Sequence, residues 1–244
     1  MASHLFHGYR CDMELMARLK LFDLTDALAV ALLFACWVGI GWLIDREGGR
    51  RPSVSVLMAE YRREWMRQFV TRQPRIFDAS IIDSLRQGTS FFASTCMIAI
   101  GGGLALIGNS ERLLGVTADL TIATASAVVL EVKMMVVLVF VVDGFLKFVW
   151  ANRLFGYCAI LMAAVPNDPA DPQAYPRAGQ AAEINITAAR NFNRGLRSVY
   201  FALGAMGWLI GSVPLMITTA LTVAMLLRRE FASQSRNVMM HRDL

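Results

Sequence analysis

The stretch VYFALGAMGWLIGSVPLMITTALTVAMLL, residues 199–227, runs for 29 positions without a charged side chain. Two further runs, 27–44 and 91–108, are each 18 residues long and also lack charge. Apolar runs of about 18 or more residues can cross the hydrocarbon core of a bilayer as α-helices. The composition agrees, since 56% of the 244 residues are hydrophobic and the mean hydropathy is +0.47. The pattern predicts an all-α integral membrane protein.

A further span has to accommodate charged residues. Residues 134–150 are apolar except for Asp143 and Lys147, which are four positions apart and therefore share one face of a helix. Charged side chains at membrane depth are costly, so they usually face a bundle interior or a water-filled cavity. The pair is therefore a candidate functional site.

Two registers are open for this span. Trp150 and Arg153 suit the inner interface, which favours a span at 130–150 with the pair in its inner half. Glu131 and Lys133 are two more intramembrane charges in this region, and the competing register is centred on them.

The predicted fold is a four-transmembrane-helix bundle with cytoplasmic amphipathic helices, forming a single membrane domain over 21–232 between tails at 1–20 and 233–244. The predicted spans are 25–44, 90–108, 130–150 and 200–227. No small-residue cleavage site follows the first span, so it is expected to be an uncleaved anchor. The last run suffices for one tilted helix, which Pro214 would kink; a re-entrant turn is the alternative.

The distribution of charge predicts the orientation. Segment 45–89 contains nine arginines and segment 151–198 contains five, whereas segment 109–127 contains only Arg112. The positive-inside rule places the two arginine-rich segments in the cytoplasm and both termini in the periplasm, across a bacterial inner membrane. Because these arginines flank apolar spans, the net charge of +5 indicates membrane orientation rather than nucleic-acid binding.

The arginine-rich layer includes an amphipathic helix at 53–72. This helix lies either in the headgroup plane or on another part of the protein. On the segment 177–198, a face containing Arg194 and Arg197 is either a solvated, salt-bridged surface or a site for anionic lipid or a partner's acids. The candidate lipid- or partner-binding residues are Arg62, Arg63, Trp65, Arg67, Asn193, Arg194 and Arg197.

Small residues in the last span favour helix–helix contact. Gly204, Gly207 and Gly211 form a stripe that includes a G-x-x-x-G. We therefore expect a homo-oligomer or a membrane-protein partner.

The sequence lacks the residues of common catalytic and cofactor sites. His4, His7 and His241 all lie in the tails, so no span offers the usual axial ligands of a haem. The four cysteines are far apart, which favours neither a disulfide framework nor a metal site. No nucleophile–base arrangement or phosphate-binding loop occurs. We expect no enzymatic activity, cofactor or metal.

Four short motifs carry a family resemblance. They are Arg62-Arg63-x-Trp65-Met66, Phe91-Phe92-Ala93-Ser94-Thr95, Arg153 with Tyr157, and Asn193-x-Gly195-x-Arg197-x-x-Tyr200-Phe201. In this order and spacing, the chain resembles the domain-of-unknown-function family 599 over roughly residues 24–232. That family comprises uncharacterised four-helix membrane proteins of bacteria and plants. The resemblance implies the topology but no activity, and it does not include Asp143 or Lys147.

Two functions remain open. In the first, the protein is a structural or accessory subunit that binds a partner or anionic lipid through its arginine-rich layer, and Asp143–Lys147 sets the helix register. In the second, it is an oligomeric channel or transporter in which the pair lines a polar path for ions or a small solute.

Overall fold

The computed structural model describes residues 22–46, 48, 51–109 and 127–240. All regular secondary structure within these residues is helical, which confirms the all-α class. The N-terminal tail, Arg112 and the three histidines lie outside the described residues. The elements are α1 (Leu24–Asp45), α2 (Val54–Thr71), α3 (Ile76–Gly108), α4 (Ala127–Ala163), α5 (Ala174–Ala205), a 3₁₀ turn (Met206–Leu209), α6 (Ser212–Phe231) and α7 (Gln234–Met240).

Three segments of the described chain are long and apolar enough to cross a membrane. They are Leu24–Asp45, Ile76–Gly108 and Ser212–Met240, with mean hydropathies of 2.4, 1.9 and 1.2 in their most apolar windows. Only 22%, 11% and 17% of these windows are buried inside the protein. Large apolar surfaces of this kind require lipid or a partner to cover them. The chain is therefore a multi-pass membrane protein.

Helices α4 and α5 form a long antiparallel pair. The Phe140 and Phe201 rings are stacked with their centroids 6.2 Å apart, and further along the pair Cys158 Sγ donates to the carbonyl of Ala181 at 3.4 Å. The 37 residues of α4 extend for about 55 Å at 1.5 Å per residue. This length exceeds the thickness of a bilayer core, which is about 30 Å.

Helix α1 packs mainly on α6 and α5, and its two ends define the two ends of the bundle. At one end Asp26 accepts a hydrogen bond from Trp208 Nε1 at 2.7 Å, and Lys133 Nζ lies 5.7 Å from the Trp208 ring centroid. Towards the other end, Lys147 Nζ lies 5.1 Å from the Trp37 ring centroid. Lys133 and Lys147 of α4 therefore lie towards opposite ends of α1, and the register of a span at 130–150 stays a prediction. We call the two ends the Asp26 end and the Asp45 end.

The apolar run 199–227 is a helical hairpin. Arg229 donates to the hydroxyl of Tyr200 at 2.8 Å, and Thr218 Oγ1 donates to the carbonyl of Gly204 at 2.7 Å. These contacts pair the last part of α5 with α6 in antiparallel orientation, and the 3₁₀ turn reverses the chain between them. The prediction of one helix over 200–227 is therefore wrong, because the chain reverses at the 3₁₀ turn, and the alternative of a re-entrant turn stays a prediction.

This reversal brings the C-terminal helices to the Asp45 end. Glu230 accepts hydrogen bonds from the backbone N–H and the hydroxyl of Ser55, at 3.1 and 3.2 Å. Arg236 Nε donates to the carbonyl of Pro52 at 3.0 Å. The prediction that the C-terminus lies across the membrane from segment 45–89 is therefore wrong, because the two are hydrogen-bonded to each other.

A second helical layer extends past the Asp45 end. It contains α2, the beginning of α3, the end of α4 and the beginning of α5. Met66, Phe69 and Val70 of α2 are buried there in one cluster with Cys158 and Ala178. The apolar face of α2 thus packs on the protein, as the second alternative for this amphipathic helix predicted.

Candidate functional site

Asp143 and Lys147 form an ion pair where α4 contacts α5. Lys147 Nζ donates to Asp143 Oδ2 at 2.6 Å, and the hydroxyl of Ser198 donates to the same oxygen. The side chains of Lys147 and Asp143 remain 25% and 29% exposed. The pair therefore lies at the edge of a helix contact and ties α4 to α5 through Ser198, a residue that the sequence alone did not single out.

The close approach of α4 and α5 positions the Asp143–Lys147 pair beside Ser198. A Cβ atom on Gly144 would lie 3.3 Å from the carbonyl oxygen of Gly195, and one on Gly195 would lie only 2.8 Å from the Phe148 ring. The absence of side chains at both positions lets α4 and α5 come close enough for Ser198 to reach Asp143.

Asp45 is the centre of a second charged cluster. It is the last residue of α1, and its carboxylate accepts from Arg194 Nε at 2.7 Å and from an Arg197 terminal nitrogen at 3.0 Å. A carboxylate at a helix C-terminus is electrostatically unfavourable on its own, so these arginines are what stabilises it there. The Arg197 side chain is only 6% exposed, whereas that of Arg194 is 45% exposed.

The two clusters share an open groove of about 480 Å³. Its wall contains four cationic side chains and one carboxylate, that of Asp45. Two indole rings add apolar surface to the wall. The Arg46 guanidinium lies 5.2 Å from the Trp42 ring centroid, which orients it along the groove. The groove is lined by Trp37, Val38, Gly41, Trp42, Asp45, Arg46, Lys147, Arg194 and Arg197. Such a wall suits a phosphate or carboxylate attached to an apolar body.

The predicted arginines of α2 lie away from this groove. Arg63 pairs with Glu183 at 2.7 Å and Arg67 pairs with Glu64 at 3.2 Å, both on exposed surface. The hydrogen bond from Arg63 lowers the pKa of the Glu183 carboxyl. Part of the face on 177–198 is therefore salt-bridged surface, while Arg194 belongs to the groove.

Three other predicted binding residues make internal contacts in the second layer. The Trp65 indole donates to buried Asp78 at 2.6 Å, and Arg62 donates to the side chain of Asn185. Asn193 donates to the hydroxyl of Ser55 at 3.3 Å. The structure thus divides the predicted binding set: Arg194 and Arg197 line the groove, and the rest lie in the second layer.

The remaining predicted intramembrane charges are separated from the pair. Lys133 lies at the Asp26 end, and half-exposed Glu131 precedes it by two residues. Ten residues of helix, about 15 Å, separate Lys133 from Asp143. Between them the fully buried Phe140 ring stacks on Phe34 at 5.1 Å. The charges of α4 are therefore not joined into one continuous polar path within the monomer.

Two of the three predicted packing glycines lie inside the α5–α6 hairpin. A Cβ on Gly204 would lie 3.0 Å from Thr222 Oγ1, and one on Gly207 would lie 2.5 Å from Thr218 Oγ1. Gly211 lies in the turn, where a Cβ would meet only Pro214, at 3.6 Å. Gly211 therefore belongs to the chain reversal within this chain, and its role in packing against a partner helix stays a prediction.

Cysteine thiols and metal ligands do not form a site within the described ranges. Cys36, Cys96 and Cys158 are free thiols, and burial raises the pKa of Cys158. In those ranges, no group of three or more histidine, cysteine, aspartate or glutamate side chains is arranged to hold a metal ion.

Sequence comparison defines the family and no activity. No curated protein and no solved structure is significantly similar to the chain. The resemblance seen in the four short motifs is confirmed over most of the sequence: the family described as "Protein of unknown function, DUF599" matches residues 28–235, and the chain belongs to it.

Proposed function

We propose that this protein is a non-enzymatic accessory protein of the bacterial inner membrane that binds an anionic phospholipid headgroup in the groove at the Asp45 end. The observation that carries the proposal is the convergence of Arg46, Lys147, Arg194 and Arg197 beside two tryptophans. Tryptophan favours the membrane interface, and clustered basic residues favour anionic headgroups. The lipid would secure the protein at the cytoplasmic face, where a membrane partner can also engage the arginine-rich layer.

The proposed topology has five crossing segments, in α1, α3, α4, the end of α5, and α6. With the C-terminal region returned to the Asp45 end, segments 45–89, 151–198 and 228–244 place nine, five and four basic residues on that side. The N-terminal tail and segment 109–127 place three and one on the other. This asymmetry supports a cytoplasmic Asp45 end, a cytoplasmic C-terminus and a periplasmic N-terminus.

The uncharged end of α5 is too short to cross a bilayer by itself, so the proposed crossing segment includes Arg194 and Arg197. Arg194 and Arg197 bond to Asp45, so part of their charge is neutralised where the helix enters the bilayer. Lys147 is positioned in the same way by Asp143, and it still lines the groove. In this proposal the Asp143–Lys147 pair fixes the register of α4 against α5 and presents an ammonium group to the lipid phosphate.

A channel or transporter role is less well supported. The Phe140 ring, stacked with Phe34 and Phe201, occupies the bundle between Lys133 and Asp143. A solute would have to displace this aromatic cluster to pass between the two charged sites, so we do not propose transport.

Native mass spectrometry tests the lipid proposal. The purified protein is mixed with equal amounts of phosphatidylglycerol, phosphatidylethanolamine and phosphatidylcholine, and bound lipid is counted per protein. We expect phosphatidylglycerol to be retained preferentially. Replacing both Arg46 and Arg194 by glutamine should weaken that retention about tenfold, because each removes charge-assisted hydrogen bonds to phosphate.

A variant with the same change in net charge is the control. The double substitution Arg67→Gln and Arg86→Gln alters two exposed arginines outside the groove and should leave retention unchanged. Equal loss in both double variants would show a general charge effect and would overturn the groove as the site. The same spectra report whether the protein is monomeric, self-associated or bound to another subunit.

A further inference from the structure

A separate cavity of about 310 Å³ lies in the second helical layer. Helices α2, α3, α4, α5 and the end of α6 all contribute to its wall. Much of the wall is apolar, including the side chains of Met58, Leu85, Phe155 and Ile186. A cavity of this volume is large enough for a small organic ligand.

Arg62 supplies an incompletely bonded cation in this wall. Within the described residues its guanidinium makes one hydrogen bond, to the side chain of fully buried Asn185, and forms no salt bridge. A guanidinium carries five N–H donors, so donors remain for a ligand. Burial lowers the pKa of Arg62, which reflects the cost of keeping this charge away from water without a counter-ion.

The other charges in the wall already have protein partners. Glu230 accepts from the backbone N–H and the hydroxyl of Ser55, and Arg229 donates to the hydroxyl of Tyr200. Arg190 lies close enough to Glu183 to help lower the pKa of that carboxyl. Among the described residues, Arg62 is thus a cation of this wall that forms no ion pair and has unused donors.

We propose that the cavity binds a small amphiphilic carboxylate, with its head on Arg62 and its hydrocarbon body between the apolar walls. A guanidinium presents a planar pair of donors that matches a carboxylate. Asn185 holds the guanidinium in place from the side opposite the ligand's approach. A single carboxylate suffices to pair with the Arg62 guanidinium, and the apolar walls accommodate a short hydrocarbon chain.

Octanoate is the probe for this site. The full-length protein is placed in phosphatidylcholine nanodiscs and titrated calorimetrically with octanoate, and with octyltrimethylammonium as the cationic counterpart. We expect saturable binding of octanoate alone. Arg62→Gln, which removes the charge and retains a polar side chain, should weaken binding about tenfold or more. Arg67→Gln, five residues further along α2 on exposed surface, should bind as the wild type does.

A second variant fills the cavity without touching Arg62. Gly88 lines the wall, and a Cβ added there meets no atom within 4 Å. Gly88→Leu should abolish octanoate binding and keep the melting temperature at or above that of the wild type, since leucine favours helix more than glycine does. Unchanged octanoate affinity in both Arg62→Gln and Gly88→Leu would overturn the proposal, as would equal binding of the cationic probe.

The same titration identifies the natural source of the anion. Repeated in nanodiscs containing phosphatidylglycerol, an unchanged octanoate affinity assigns the cavity to a free acid from the cytoplasm. If phosphatidylglycerol weakens octanoate binding to the wild type but has no such effect on Arg62→Gln, a membrane lipid anion competes for the same guanidinium. The groove variant Arg46→Gln with Arg194→Gln should not alter octanoate binding, which separates this site from the proposed lipid site.

Discussion

The two ends of the bundle differ in how their charged side chains are bonded. At the Asp45 end, Asp45 is bonded to Arg194 and Arg197, and an open groove adds further cations. At the Asp26 end, Asp26 accepts one indole hydrogen bond, and a lysine lies over the same ring. Both ends hold α1 against its neighbours, yet among the residues that the structure describes only the Asp45 end leaves a surplus of positive charge. The difference indicates that the Asp45 end combines helix positioning with anion binding.

Removing the central carboxylate at each end should give the largest difference in stability between the two ends. Asp45→Ala leaves Arg197 nearly buried without its partner, and we expect a loss of about 3 to 5 kcal/mol in the free energy of unfolding. Asp26→Ala leaves one indole N–H unpaired and should cost about 1 to 2 kcal/mol. Titration with SDS in mixed micelles measures both losses. Equal losses would contradict the assignment of the stronger charge network to the Asp45 end.

Glycine substitutions test the hairpin that brings the C-terminus to the Asp45 end. Gly207→Ala places a Cβ 2.5 Å from Thr218 Oγ1 and 3.1 Å from the carbonyl of Pro214, and should cost about 1 to 3 kcal/mol through overpacking. Gly102→Ala is the matched control, because a Cβ there meets nothing within 4 Å. Melting temperatures in detergent should fall for the first variant only. Unchanged stability of Gly207→Ala would argue against the close α5–α6 contact.

Replacing the intramembrane pair tests its role in helix register. The double variant Asp143→Leu with Lys147→Met keeps the contact between α4 and α5 apolar, and Ser198 retains its bond to the carbonyl of Arg194 at 3.1 Å. The change in unfolding free energy should stay within about 1 kcal/mol, because an apolar pair can replace a partly buried ion pair at little net cost. Asp143→Leu alone, which leaves the lysine unpaired, should be less stable than the double variant. The reverse order would refute this role.

The pH dependence of the Arg63–Glu183 pair should be the smallest effect. The pKa of Glu183 is lowered in the folded state, so its stabilising contribution is complete above its ordinary value of 4.5 and disappears as the pH falls through the lower, folded-state pKa. The carboxylate side chain is 59% exposed, which limits the pair to about 0.5 kcal/mol or less. Glu183→Gln should therefore differ slightly from wild type at neutral pH and not at all well below pH 4. A difference that grew in acid would contradict the sign.

Much of the fold follows from the sequence because long uncharged runs have few alternatives to membrane helices. The uncharged runs 27–44 and 91–108 correspond to parts of α1 and α3. The amphipathic segment 53–72 corresponds to α2. Hydropathy could not resolve the run 199–227, since a turn between apolar helices carries no polar signal. Hydropathy also gives no sign of the proposed crossing part of α5, whose arginines pair with Asp45 of a distant segment.

The candidate sites depend still more on tertiary contacts. The spacing of Asp143 and Lys147 indicated their pairing, and they are paired. Neither the contribution of Ser198 nor the incomplete bonding of Arg62 has a local signal, because both arise where α5 packs on a distant part of the chain. The arginines of α2 and α5 have similar sequence contexts. Only the tertiary packing shows which of them form ion pairs on exposed surface and which line a groove or a cavity.

The position of the C-terminus tests the central claim most directly, because the excess of positive charge at the Asp45 end depends on it. Green fluorescent protein and alkaline phosphatase are fused separately after Leu244 and expressed in bacteria, with fusions at residue 169, in the loop between α4 and α5, as the cytoplasmic reference. We predict that the C-terminal fusions match the reference, with bright fluorescence and negligible phosphatase activity. High phosphatase activity with no fluorescence after Leu244 would contradict the hairpin, the five-crossing topology and the proposed cytoplasmic lipid site together.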